Sequence, residues 1–219
     1  MTRTAICSLL GLLLATSACG GKPKLTSEDD RAIHSLGVKL GEGLVPLELS
    51  PHELEVLKAA LTESVSMRAA PLDPKAYTEV TALMARRTEA RRAKEAARGP
   101  AFLKEAAQEP RAVTLSSGVV YRELVAGTGA AAPESSKVKV RLRGTLADGT
   151  VFEDSQAVVL PLGPQIIPCW SEAVAHLKVG GKARVVCPPA AAFGDFGRPP
   201  LVAPGTTVAY EVELLDVAP

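Results

Sequence analysis

Aromatic residues are scarce in this chain of 219 residues, which has one Trp, three Tyr and four Phe. Phe152, Trp170, Phe193, Phe196 and Tyr210 all follow residue 150, while Tyr77, Phe102 and Tyr121 serve everything earlier. Any aromatic pocket therefore belongs to the last third. Net charge is equally slight. Lys and Arg number 25 against 24 Asp and Glu, leaving +1 and no general pull toward nucleic acid. His34, His52 and His176 are too scattered for a metal-ligand cluster, and no phosphate-cradling loop is present, so neither metal nor cofactor is expected. What the chain does have is 47% apolar and 22% charged residues, enough for a packed core in two modest domains or one large one.

Ala5 to Ala18 is an uncharged, mostly apolar run of fourteen residues behind Arg3. It is too short to span a bilayer as a helix and has the length of a signal-peptide core. Ala15-Thr16-Ser17-Ala18-Cys19 then resembles a lipobox, although Thr16 stands where Leu is usual. The resemblance implies cleavage before Cys19, acylation of its thiol, and a bacterial envelope protein held by lipid, at the outer membrane facing the periplasm. The plainer alternative is ordinary cleavage after Ala18 with a free thiol at Cys19. Export leaves Cys169 and Cys187 as a pair that an oxidising compartment permits to bridge. Two small buried apolar side chains are the competing reading.

Residues 20–27 form a short polar tether. Ile33, Leu36, Leu40 and Leu44 then recur at helical spacing. Ser50-Pro51-His52-Glu53 is a capping box opening a second helix with a stripe of Leu54, Leu57, Leu61 and Val65. A third helix is predicted from Lys75 to about Arg98, broken or kinked by Gly99-Pro100 and resuming over Ala101–Gln108. Such helices bury little alone, so a second copy of the chain is the simplest partner. A monomeric spacer whose stripes pack on each other is the alternative. The basic run Arg86, Arg87, Arg91, Arg92, Lys94 and Arg98 is interrupted by Glu89 and Glu95 and reads as a solvated helix face.

After Glu109-Pro110 the period becomes two. Val138, Val140 and Leu142 alternate with Lys139, Arg141 and Arg143, and Asp148-Gly149 makes a hairpin turn before Val151-Phe152. Val119–Leu124, Ala183–Val186 and Thr207–Leu215 are further strand candidates, with one short helix near Trp170–His176. The expected class is α+β: an all-α N-terminal region with a long connecting helix, then an antiparallel twisted sheet wrapped on one short helix. The expected division is 1–18 leader, 19–27 tether, 28–110 helical dimerisation domain and 111–219 sheet domain.

Ordered segments run from Ser117-Gly118-Val119-Val120-Tyr121 through Gly144–Ser155, Ile166-Ile167-Pro168-Cys169-Trp170, Val179-Gly180-Gly181-Lys182 and Pro188–Gly194 to Val208–Leu215. Their joint order and spacing resemble the FKBP-type prolyl isomerases. With the Leu36-Gly37 to Leu40-Gly41 helix they resemble the secreted, dimeric FkpA and Mip group of that family. The resemblance implies an FKBP-like fold and isomerisation of X-Pro bonds in exported or unfolded polypeptides, with chaperone activity from a homodimer joined by the N-terminal helices. Residue by residue it places Trp170 at a pocket floor and Phe152, Phe193 and Tyr210 in the walls. Leu142, Val158, Ile166, Leu201 and Val202 complete the lining, the last two on a flap. The Ile167 N–H would hold the substrate carbonyl, and Glu153 would orient polar groups.

That chemistry stands on physical grounds as well. Resonance sets a barrier of about 18–20 kcal/mol to rotation about a peptide bond. Twisting removes the resonance and its charge separation, so a dry apolar site favours the twisted amide over the planar one. X-Pro is the natural substrate because its trans preference is small and its exchange slow. The sequence departs from the family at several places. Leu142 and Phe193 replace tyrosines, Glu153 is longer than the usual Asp, Cys169 replaces a glycine, and Arg198 and Pro200 alter the flap. Reduced turnover and poor macrolide binding are expected, and a non-catalytic peptide-binding module is the second reading. Without its motif, Trp170 would read as a core anchor. Ser171 and His176 lie on different helix faces and take no catalytic role.

Overall fold

The computed structural model describes residues 23–133 and 136–218. The leader and Cys19, the acylation candidate, lie outside the described residues. Backbone contacts divide the chain after Lys39.

Helix α1 (Glu28–Glu42) starts on three acidic residues, Glu28, Asp29 and Asp30, which suit the positive end of a helix dipole. The Asp30 carboxylate accepts the N–H groups of Thr26 and Ser27, each at 2.8 Å. Helix α2 (Pro51–Val65) carries the capping box its sequence predicts. Ser50 Oγ accepts from the Glu53 N–H at 3.3 Å, and a Glu53 carboxylate oxygen accepts the Ser50 N–H at 2.8 Å. Neither helix buries a single residue.

Helix α3 runs without interruption from Ala76 to Ala107, with Pro100 inside it. Of the kink or break expected at Gly99-Pro100, the break does not occur, and the reason is tertiary. Phe102, Leu103 and Ala106 pack on Val120, Val186 and Ala209 of the sheet. Gly99 allows that approach, because a Cβ there would lie 2.5 Å from Thr207 Oγ1. Packing outweighs the roughly 3 kcal/mol that an interior proline costs a helix. The basic run is largely a solvated face, as expected, with Arg91 alone well covered, and its charges form surface ion pairs. Arg87 pairs with Glu53 at 2.5 Å, Lys94 with Glu48 at 3.2 Å, Arg92 with Asp195 at 3.4 Å and Arg98 with Asp148 at 3.8 Å.

The rest is α+β. Strands β1 (Val113–Thr114), β2 (Val120–Val125), β3 (Lys137–Leu146), β4 (Val151–Pro161), β5 (Lys182–Cys187) and β6 (Val208–Ala218) form one antiparallel sheet. Their order is β1-β2-β5-β6-β3-β4. Alternation is strict in β3, where Val138, Val140 and Leu142 are buried and Lys139, Arg141 and Arg143 are exposed. Gly149 takes φ +85° in the hairpin that follows, and the Asp148 carboxylate accepts the Thr150 N–H at 3.0 Å. Strand β4 extends well past Phe152, crossing a register shift between Val140 and Leu142 of its partner. Helix α4 (Pro168–Ala175) packs Cys169, Ala173 and Val174 into the main core with Val185, Val208, Val212 and Leu214. Cys169 and Cys187 are disulfide-bonded with Cα atoms 5.9 Å apart, tying α4 to the end of β5. No helix of the described residues is long and apolar enough to cross a membrane.

Candidate functional site

Four rings from four segments meet at one end of this core. Tyr210 of β6 lies edge-on to Trp170, in the first turn of α4, with centroids 5.3 Å apart. Phe152 of β4 is edge-on to Tyr210 at 5.5 Å and to Phe193 at 6.1 Å. Such T-shaped pairs match positive ring edges to negative faces. Gly144 of β3 makes the cluster feasible, since a Cβ there would lie 2.7 Å from the Phe152 ring and 2.8 Å from Tyr210. Sequence reasoning passed over Gly144 as a separate site residue. A lone glycine inside an alternating strand was the available signal.

Depth differs from expectation. Tyr210 is the deepest ring, with no exposed surface, whereas Trp170, expected as the floor, is only partly buried, like Phe152 and Phe193. Leu142 and Val202, expected to face a ligand, are each 1% exposed and belong to the core. The β3 alternation and the packing of the 198–202 segment turn them inward, into the core that also holds Tyr210. Val158 is half-buried opposite Val140, and Ile167 is half-buried at the N-terminus of α4. Ile166 and Leu201 are half-buried outside the main cluster.

Polar groups around the rings are short of partners. The Tyr210 hydroxyl is within reach of the Arg198 and Trp170 side chains, but neither it nor the buried Trp170 Nε1 makes a well-formed hydrogen bond among the described residues. The Ile167 N–H donates to no acceptor among them either. Burial pushes the Tyr210 phenol well above its ordinary range, with the Arg198 charge opposing, so it stays a neutral donor.

Glu153 and Arg198 occupy the edge of the cluster. Glu153 accepts from Ser155 Oγ at 2.5 Å and pairs with Arg198, whose guanidinium stands 5.9 Å from the Phe193 ring centroid. Burial raises the Glu153 carboxyl, but the hydrogen bonds from Ser155 and Arg198 and the Arg198 charge outweigh it, so the pKa falls below 4.5. The sequence marked Arg198 only as a departure in the flap. Its pairing with Glu153, 45 residues away, needed the fold. His176 caps α4, with Nδ1 2.8 Å from the Glu172 carbonyl oxygen, and its ring lies 5.2 Å from that of Tyr121.

An antiparallel sheet packed on one short helix, with edge-on rings at its end, defines a domain of the FKBP type, and the chain belongs to the family of FKBP-type peptidyl-prolyl cis-trans isomerases. That family matches residues 129–215, and the domain amino-terminal to FKBP-type peptidyl-prolyl isomerases matches 29–122. Among particular relatives, the FKBP-type peptidyl-prolyl cis-trans isomerase FkpA of Escherichia coli (strain K12) is 30% identical over 219 residues, covering 93% of this chain and 81% of that protein. The outer membrane protein MIP of Legionella longbeachae is 30% identical over 224 residues, covering 96% and 95%. The crystal structure of FkpA from Escherichia coli superposes with a TM-score of 0.59 at 29% identity, over 90% of this chain and 99% of that one.

Proposed function

We propose that this chain isomerises X-Pro bonds of exported proteins at the ring cluster and holds unfolded clients as it does so. The observation that carries this reading is the edge-on ring cluster, of which Phe152, Trp170 and Phe193 stay partly open to solvent, beside an Ile167 N–H that makes no hydrogen bond among the described residues. A prolyl ring seated among Phe152, Trp170 and Phe193 leaves its amide in hydrocarbon. There the twisted, less polar amide is favoured over the planar one, and no nucleophile is needed. The Ile167 N–H holds the substrate carbonyl, and Glu153, fixed by Ser155 and Arg198, orients the rim.

Export and lipid anchoring at Cys19 are supported by the leader, and the Cys169–Cys187 bridge agrees with an oxidising compartment. Association with a second copy through the helices is supported by exposed Ile33, Leu36 and Leu40 on α1, Leu54, Leu61 and Val65 on α2, and Tyr77, Val80 and Met84 on α3. Two such sites on one particle would engage a single client with raised effective concentration.

A protease-coupled assay on a proline tetrapeptide tests the activity. Phe152→Ala is expected to lower kcat/KM by about tenfold or more, the equivalent of roughly 1.4 kcal/mol of lost transition-state stabilisation. An unchanged rate would remove the cluster from the reaction. The missing hydroxyls at Leu142 and Phe193 favour a second reading, a peptide-binding module without turnover. Suppressed client aggregation with no rate enhancement in the wild type would select it.

A further inference from the structure

Arg91, on the middle of α3, leaves the helix to reach the 198–202 segment. Its Nη2 donates to the Leu201 carbonyl at 2.8 Å and its Nη1 to the Pro200 carbonyl at 3.3 Å. Its Nε lies 3.6 Å from Glu48 Oε1, and the side chain is only 13% exposed. A guanidinium presents donors in a fixed fork, so one side chain grips two successive carbonyls and a carboxylate at once.

The gripped segment is itself closed. Arg198 N–H donates to Val202 O at 2.8 Å and Val202 N–H to Arg198 O at 3.0 Å. Its first residue faces the rings, through the Arg198 pairing with Glu153 and its place over Phe193. The segment is thus held from the ring side by Arg198 and from the helix side by Arg91. Arg92 adds a weaker tie to Asp195 just upstream, at 3.4 Å and largely exposed.

We propose that Arg91 is a positioning residue for the isomerase site, a strap that sets the 198–202 segment against the ring cluster. The proposal rests on the reading of that cluster as the substrate site. Arg91 touches neither the rings nor a substrate bond. Its removal leaves two carbonyls without their donor and lets the segment move, so the substrate must order it on binding. KM rises and kcat stays, the pattern of lost binding without lost transition-state stabilisation.

The test uses the full chain with Arg91→Ala and Arg91→Lys, measuring kcat and KM on a proline tetrapeptide and amide hydrogen exchange at Val202, Val140 and Val185. Arg91→Ala is expected to raise KM roughly five- to tenfold with kcat within about twofold, the scale of one net hydrogen bond. Exchange at Val202 should quicken while Val140 and Val185 stay protected. Arg91→Lys, which keeps the charge and loses the fork, should fall between, and it decides the matter if Arg91→Ala does not fold. Unaltered Val202 exchange, or a fall in kcat with KM unmoved, overturns the proposal. Quickened exchange in a protein whose wild type shows no isomerase activity upholds the strap and faults the substrate-site reading alone.

Discussion

Residues 28–65 and residues 113–218 solve the problem of folding in opposite ways. In the first stretch each helix settles its own ends, with the capping box at Ser50 and Glu53 and the Asp30 carboxylate on the amides before α1. Yet no residue of α1 or α2 is buried. In the second stretch β3, β5, β6 and α4 bury Val140, Leu142, Val185, Tyr210 and Leu214 almost completely. Local hydrogen bonding shapes a helix but supplies little net stability, whereas apolar burial contributes about 25 cal/mol per Å². The sheet half contains its own driving force. The helices before it display theirs.

The largest effect expected from this contrast is in the core. Leu142→Ala should destabilise the sheet half by about 3 kcal/mol, read as a lowered urea midpoint. A loss below about 1 kcal/mol would mean that Leu142 faces solvent after all, as a binding wall would. Breaking the Cys169–Cys187 bridge, which closes a sequence separation of 18, should cost about 3 kcal/mol by the same measure. Its removal should also loosen Trp170, the next residue along α4.

Acid sharpens the comparison at the site itself. Because the folded Glu153 pKa lies below 4.5, its pairing with Ser155 and Arg198 stabilises fully above that value and is lost as pH falls through the lowered one. Isomerase activity should therefore hold from neutrality to about pH 4.5 and decline below it, with Glu153→Gln flattening that decline. The smallest change in folding is expected on α2. Leu61→Asp should move the unfolding midpoint by less than about 0.5 kcal/mol, since the side chain is exposed. It should nonetheless convert a two-copy particle to single chains in sedimentation. A substantial loss of stability in the separated chain would contradict the exposure seen here.

What could be read in the sequence follows the same divide. Period-two alternation in β3, the Asp148-Gly149 turn and the capping box are local patterns, and each appears at the expected residues. The ring set was expected only through the family resemblance that the ordered motifs carry. Gly99-Pro100 was not, because the packing that keeps α3 continuous through it comes from Val120, Val186 and Ala209, distant in the chain. The partners of Arg91, Arg92 and Arg198 were hidden for the same reason, since charge pairing across the fold leaves no periodic trace. The depth of Leu142 and Val202 likewise depends on what packs over them. Two cysteines 18 apart permit a bridge, but only folding sets their 5.9 Å separation.

An unbroken α3 has a mechanical consequence. Thirty-two residues at about 1.5 Å each make a rod of roughly 48 Å, tied to the sheet half from Arg91 to Ala106. A pull on the first turns of α3 is passed along that rod to the 198–202 segment and the strands beneath it.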